Sequence, residues 1–143
     1  MKALLDTSVL VAAFYEDHEH HKASFDLLLR HKRKDACCAA HSLAEVYATL
    51  TAMPGNRRVS PVEAVLFLGS LREKLTAISL DEDEYWTAAD WAAASGASSG
   101  GLYDALIGQC FLKSRAALLY TWNLKHFQRL TSNIGEKVRT PIG

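Results

Sequence analysis

The 143-residue chain has no excess of charge of either sign, since sixteen lysines and arginines balance sixteen aspartates and glutamates. That balance excludes a whole-molecule positive field and leaves only local patches to steer a charged ligand. Cysteine is scarce and odd in number, with Cys37 and Cys38 adjacent and Cys110 far away. Such spacing makes neither a disulfide framework nor a zinc knuckle. Buried, reduced thiols of a cytoplasmic protein are the simplest account. No apolar run approaches the ~20 residues needed to cross a bilayer. The N-terminus also lacks the charged region, apolar core and cleavage site of a secretory signal. The expected location is therefore cytoplasmic, away from membranes.

What is present is ordinary globular material, 49% apolar and 22% charged, which excludes disorder. The length suits a single domain spanning 1–143 with a core that needs no covalent staples. Apolar runs at Ala3–Leu5, Ala36–Ala40, Ala77–Leu80 and Ala116–Tyr120 read as buried strands, and Val138–Ile142 as a last edge strand. Helical spacings separate them. Phe25, Leu28 and Leu29 mark one helix. Val62, Val65, Leu66, Leu68, Leu71 and Leu75 read as the inner face of another, and Tyr85, Trp86 and Ala89 begin a third. Ser42–Glu45, Ser60–Glu63 and Asp81–Glu84 have the spacing of capping boxes. Strands alternating with helices predict an α/β fold, a mostly parallel central sheet with helices on both faces.

Four polar residues fall where the crevice of such a sheet would lie. Asp6 and Asn123 directly follow strands, and Glu45 and Asp104 stand in first helical turns. Each has a local use as well. Asp6 and Asn123 can cap helices, Glu45 can close a box with Ser42, and Asp104 can complement a helix dipole. On this reading Thr7 or Ser8 takes over the capping, leaving Asp6 to face the crevice. Asp104 fits its local use least well. Leu102, Tyr103 and Ala105–Ile107 surround it, and an unpaired carboxylate is costly to bury there. A shared cation would remove that cost. Mg²⁺ and Mn²⁺ take such oxygen ligands through one or two carboxylates and keep waters and phosphates elsewhere.

Four segments together resemble the motifs of PIN domains, and more narrowly those of VapC-type toxin ribonucleases of type II toxin–antitoxin pairs. They are Leu4–Ser8, His41–Tyr47, Gly101–Ile107 and Thr121–Phe127. The resemblance covers essentially the whole chain in motif order and spacing. It implies a three-layer α/β/α nuclease domain that cleaves RNA phosphodiesters with Mg²⁺ or Mn²⁺. It further implies a homodimer held inactive by a cognate VapB-type antitoxin. Carried over by motif, Asp6 and Asp104 are the metal ligands and Glu45 completes the acidic cluster. Asn123 stands at a position that is Asp in many members, which removes one negative charge, and Thr121 supports the same corner. Two other readings remain at this stage. One is a phosphatase with Asp6 as nucleophile, which lacks the usual second acid two residues on. The other is a non-catalytic interaction module.

The remaining polar and aromatic groups have plain readings. His18, His20 and His21 read as a solvated helix approach, because no Cys or strand-anchored ligand set accompanies them. The run from Arg30 to Lys34 reads as a solvated helix end, with phosphate contact as the competing role. His126 reads as a substrate-side or packing histidine. Trp86, Trp91 and Trp122 are able to stack on bases, although aromatics at helical spacing usually belong to a core or an interface.

Overall fold

Five short apolar segments pair side by side into one sheet: β1 (Ala3–Leu5), β2 (Ala36–Ala39), β3 (Thr76–Ile78), β4 (Leu118–Tyr120) and β5 (Val138–Arg139). In this computed structural model, which describes residues 1–130 and 132–142, every described pairing is parallel and the order is β3-β2-β1-β4-β5. The middle strands are buried on both faces, as a parallel sheet requires. Successive side chains point to opposite faces. Leu5 and Cys38 therefore join one apolar cluster, while Leu4, Cys37 and Leu119 join the other.

Those two clusters make three layers. On the first face lie α1 (Thr7–Phe14), α2 (His21–Arg30), α3 (Ala40–Ala52) and α4 (Pro61–Lys74), contributing Val9, Leu27, Val46, Leu50 and Leu71. On the second lie α5 (Glu82–Ala94), α6 (Gly101–Ser114), α7 (Leu124–Gln128) and α8 (Ser132–Gly135), contributing Ala88, Ile107, Phe111, Phe127 and Ile134. Fully burying one Leu or Phe of this kind is worth about 1.5–3 kcal/mol. Among the described residues no helix is long and apolar enough to cross a membrane.

Helix starts follow the sequence in two of three places. Asp81 and Glu84 form a reciprocal capping box, with both hydrogen bonds at 2.9 Å. Ser60 accepts from the Glu63 N–H, with Pro61 opening the helix. The Ser42–Glu45 box does not form. Helix α3 begins at Ala40 straight out of β2, which leaves Ser42 buried inside the first turn.

Helix faces differ more. In α4 the buried positions are Ala64 and Leu71, with Phe67 and Leu68 partly buried, whereas Val62, Val65 and Leu66 are exposed. The helix is apolar on two sides, so periodicity offered two solutions and the sheet took the smaller residue. For the same reason Phe25 and Leu29 of α2 and Tyr85 and Trp86 of α5 face outward, and Ser24, Leu27, Ala88 and Ala92 face in. Small inward residues let a helix lie close to the sheet.

The strand order fixes where a site can form. From β1 the chain first builds outward through β2 to β3, then crosses to the other side for β4 and β5. The order therefore reverses between β1 and β4, and ligands of open α/β sheets bind beyond the carboxyl ends at that point. Leu5 is paired with Tyr120, so Asp6 and Thr121 leave the sheet side by side.

Candidate active site

Asp6 is the N-cap of α1, extended in backbone conformation, and its side chain is almost wholly buried at 3% exposure. Its Oδ2 accepts from Ser8 Oγ at 2.7 Å, from Thr121 Oγ1 at 2.8 Å and from the Ser8 N–H at 3.3 Å. Capping and crevice-facing roles thus fall on the same carboxylate. This corrects the expectation that Thr7 or Ser8 relieves Asp6 of the cap. The backbone N–H of Asp6 also donates to Tyr120 at 2.9 Å, tying the acid to β4. Burial pushes the Asp6 carboxyl above its usual range, and the Ser8 and Thr121 hydrogen bonds oppose that shift.

Thr7 serves a different acid. Its hydroxyl donates to Glu45 Oε2 at 2.6 Å and lies 2.9 Å from Ser42 Oγ. Glu45 is therefore held from α1 across to α3, a use that its failed capping box had left open. On its other side, His41 Nδ1 lies 3.6 Å from the same Oε2, an ion pair only when the imidazole is protonated. Among the described residues that buried nitrogen has no hydrogen-bond partner. The His41 ring stacks on Tyr103 at 4.8 Å between centroids, which links the Glu45 corner to the start of α6.

Asp104 sits in the first turn of α6, where the helix dipole favours an acid. The loop before it is drawn in tightly, because a Cβ on Gly101 would meet the Ala97 Cβ at 2.6 Å. Only glycine permits that approach. Asp104 Oδ2 lies 3.3 Å from His126 Nδ1 on α7. Burial and the charge of Asp6 raise the Asp104 carboxyl to about 6, with Glu45 adding to the rise and His126 opposing it. Asp104 therefore feels the charges of two acids from other elements at one sheet edge.

Two cavities flank the acids. One of about 540 Å³ is lined by Asp6, Glu45, Asp104 and Asn123 together with His18, His20 and Trp122. The other, about 560 Å³, shares Glu45, Asp104 and Asn123 and adds the 95–101 loop, His126 and Arg129. Asn123 is the N-cap residue of α7 but makes no side-chain cap hydrogen bond. Its local alternative is thereby removed, and its carboxamide lines both cavities.

The model of the PIN domain family matches residues 3–131 of this sequence. The chain belongs to the PIN domain family. Ribonuclease VapC40 of Mycobacterium tuberculosis is 33% identical over 120 residues, covering 84% of this chain and 85% of that protein. Two solved structures share the fold. One is M. tuberculosis VapC20, a Sarcin-Ricin loop cleaving toxin, with a TM-score of 0.72, 17% identity and coverage of 87% and 92%. The other is VapBC2 from Rickettsia felis bound to a DNA fragment from their promoter, with a TM-score of 0.67, 18% identity and coverage of 98% of both chains.

In this PIN domain the four candidate residues, Asp6, Glu45, Asp104 and Asn123, line one of the two cavities together. Thr121 supports the corner through its hydrogen bond to Asp6, and also accepts from the Asn123 N–H at 2.9 Å. Sequence reasoning did not find the walls. His18 and His20, half-buried on the approach to α2, also line the first cavity, so the solvated histidine stretch forms part of the crevice wall. Arg129 and the 95–101 loop line the second, and the Ser/Gly composition of that loop gave no hint of its place. His126 lines the second cavity, beside Asp104. Of the tryptophans, Trp86 is exposed on α5, Trp91 bonds the Leu130 carbonyl at 3.1 Å, and Trp122 faces the acids' cavity.

Proposed function

We propose that this chain is a Mg²⁺- or Mn²⁺-dependent endoribonuclease and the toxin of a type II toxin–antitoxin pair. The observation that carries the reading is the convergence of Asp6, Glu45, Asp104 and Asn123 on one cavity at the sheet edge of a PIN domain, with burial and the charges of Asp6 and Glu45 raising the Asp104 carboxyl beside it. Hard oxygen donors crowded against their own repulsion suit a hard divalent cation. Asp6 and Asp104 would hold it. Among the described residues no three His, Cys, Asp or Glu side chains are gathered tightly enough to enclose an ion. Water and an RNA phosphate would then complete the shell, as Mg²⁺ commonly requires. When bound, the ion supplies positive charge at the phosphate and acidifies a water.

The chain's own groups do the rest. Ser8 and Thr121 fix Asp6 in one orientation. Thr7 fixes Glu45, the third acid, which reaches the site directly or through water. Asn123, uncommitted to its helix, orients the water for in-line attack on the phosphodiester. With Asn in place of Asp, this corner carries one negative charge fewer. The ribonuclease name of the 33%-identical relative supports the RNA substrate. A VapBC assembly among the fold neighbours supports a VapB-type antitoxin partner. A groove of about 830 Å³, lined by Ala23, Leu29, Trp122 and Ile142 with Lys22 and Asp26 among its charged residues, would accept an amphipathic segment of such a partner.

The direct test is cleavage of a structured RNA pool with Mg²⁺ and with Mn²⁺, comparing the wild type with Asp6→Asn and Asp104→Asn. Loss of about 10²-fold or more in each variant is expected from removing a charged group at the reacting centre. Undiminished cutting by both variants would sink the assignment. Co-purification with the product of a neighbouring small reading frame tests the antitoxin. Size-exclusion chromatography with light scattering tests the homodimer, and a monomer at working concentration refutes it. Recovery of the protein in the soluble cytoplasmic fraction is the expected result of cell fractionation.

A further inference from the structure

The stretch from Tyr15 to His20 is folded by defined contacts into a wall of the cavity that the acids line. The His18 N–H donates to the Tyr15 carbonyl at 3.0 Å, and the His20 N–H donates to His18 Nδ1 at 3.0 Å. His21 anchors the end of the stretch, its Nδ1 lying 3.0 Å from the Ala12 carbonyl. The His20 ring then lies flat on Trp122, with centroids 3.6 Å apart and planes within 7°. Trp122 is itself held at both ends. Its backbone N–H donates to Ser8 Oγ at 3.0 Å, and its indole N–H donates to the buried Ser24 Oγ at 2.8 Å. Ser8 is also the residue that orients Asp6. The stack and the acid thus hang from one side chain, and both line the same cavity.

Accepting the nuclease reading above, on which this inference rests, an RNA phosphate at the acids must place its neighbouring nucleosides against the cavity walls. The two walls differ in kind. The side with the 95–101 loop offers His126 and Arg129, groups suited to phosphate. The other side offers a rigid pair of stacked rings with His18 beside it. Unstacked RNA bases are received on aromatic and histidine faces of this sort. A platform already ordered before binding costs nothing further to order.

We propose that the His20–Trp122 stack is a nucleobase platform, and that it determines which base flanks the scissile phosphate. The strand then crosses the acids from the His20 side to the Arg129 side. The imidazole supplies both a flat face and a polar edge, so the platform can prefer one base as well as hold it.

The test is cleavage of an RNA pool by the full chain, with cut positions mapped by sequencing of the new ends and with KM and kcat measured on one preferred oligonucleotide. His20→Ala is expected to raise KM roughly tenfold, the effect of losing one base–aromatic stack. The loss should fall mainly on KM and not on kcat, and the base preference at one position beside the cut should flatten. His20→Phe, which restores a flat ring, is expected to recover most of the KM. A chain that cuts RNA while His20→Ala keeps both KM and base preference overturns the platform and leaves the nuclease reading standing. Equal damage in His20→Phe and His20→Ala also overturns it, because stacking would then not be what the ring supplies. A wild-type chain that cuts no RNA overturns the nuclease reading and the platform with it.

Discussion

Asp104 carries the clearest conflict between folding and function in this molecule. Burial and its acidic neighbours raise its carboxyl to about 6 from an ordinary 3.8. Between those values the folded chain keeps a proton that the unfolded chain releases. The stability this provides is fully present below about pH 4 and is lost as pH rises through about 6. Above that range the ionised carboxylate opposes the fold. Asp104→Asn should therefore be more stable than the wild type in EDTA at pH 7, by about 1–2 kcal/mol after allowance for solvent screening. Urea unfolding across a pH series measures this, and the gap should close towards pH 4. Added Mn²⁺ should also narrow it, by stabilising only the chain that retains the carboxylate. An Asn variant weaker than the wild type at pH 7 would mean that Asp104 is held chiefly as the partner of His126.

At the scale of elements, legibility in the sequence tracked how many solutions a local pattern allowed. Strand β1 is apolar throughout and bounded by Lys2 and Asp6, so its limits were plain, whereas the apolar run of β2 continues into Ala40, which opens α3. Asp6 and Asp104 stand where the sequence placed them, one step beyond β1 and in the first turn of α6, whereas Glu45 falls in the second turn of α3, because that helix starts early at Ala40, and Asn123 comes three residues after β4 as the N-cap of α7. The histidine wall could not be found, since a loop has no periodicity to say which way it folds. Helix faces failed for a third reason. In α4, Val62, Val65 and Leu66 compete with Ala64, Phe67, Leu68 and Leu71, and the spacing of three and four fits both sets. The sheet decides, and it buries Leu71 completely while leaving Leu66 67% exposed. Leu71→Ala should cost about 2–5 kcal/mol, as buried leucines do. Leu66→Ala should stay within about 0.5 kcal/mol. Urea midpoints of the two variants give the answer, and a loss in Leu66→Ala as large as that in Leu71→Ala would return Leu66 to the inner face, where the sequence reading had placed both.

At the scale of the whole molecule, equal numbers of cations and anions set how RNA is captured. A basic nuclease gathers RNA along many phosphates, and its binding weakens steeply with salt. Each single-strand phosphate neutralised contributes about −0.7 to the slope of log affinity against log salt. Here the crevice itself offers Arg129 as its fixed cation, with His18, His20 and His126 near it. On the proposed reading, capture would then come from the stacked rings, from the shape of the two cavities and from a cation at the acids. The dependence of KM on monovalent salt, at constant divalent ion, should accordingly be shallow, with a slope of about 1–2 in magnitude. A slope near 4 or beyond would require several more phosphate contacts. The run from Arg30 to Lys34, at the end of α2 and in the loop towards β2, is the densest remaining source of positive charge. Charge-reversing Arg33 and Lys34 together would then flatten the slope, whereas in the shallow case the same double substitution leaves it unchanged.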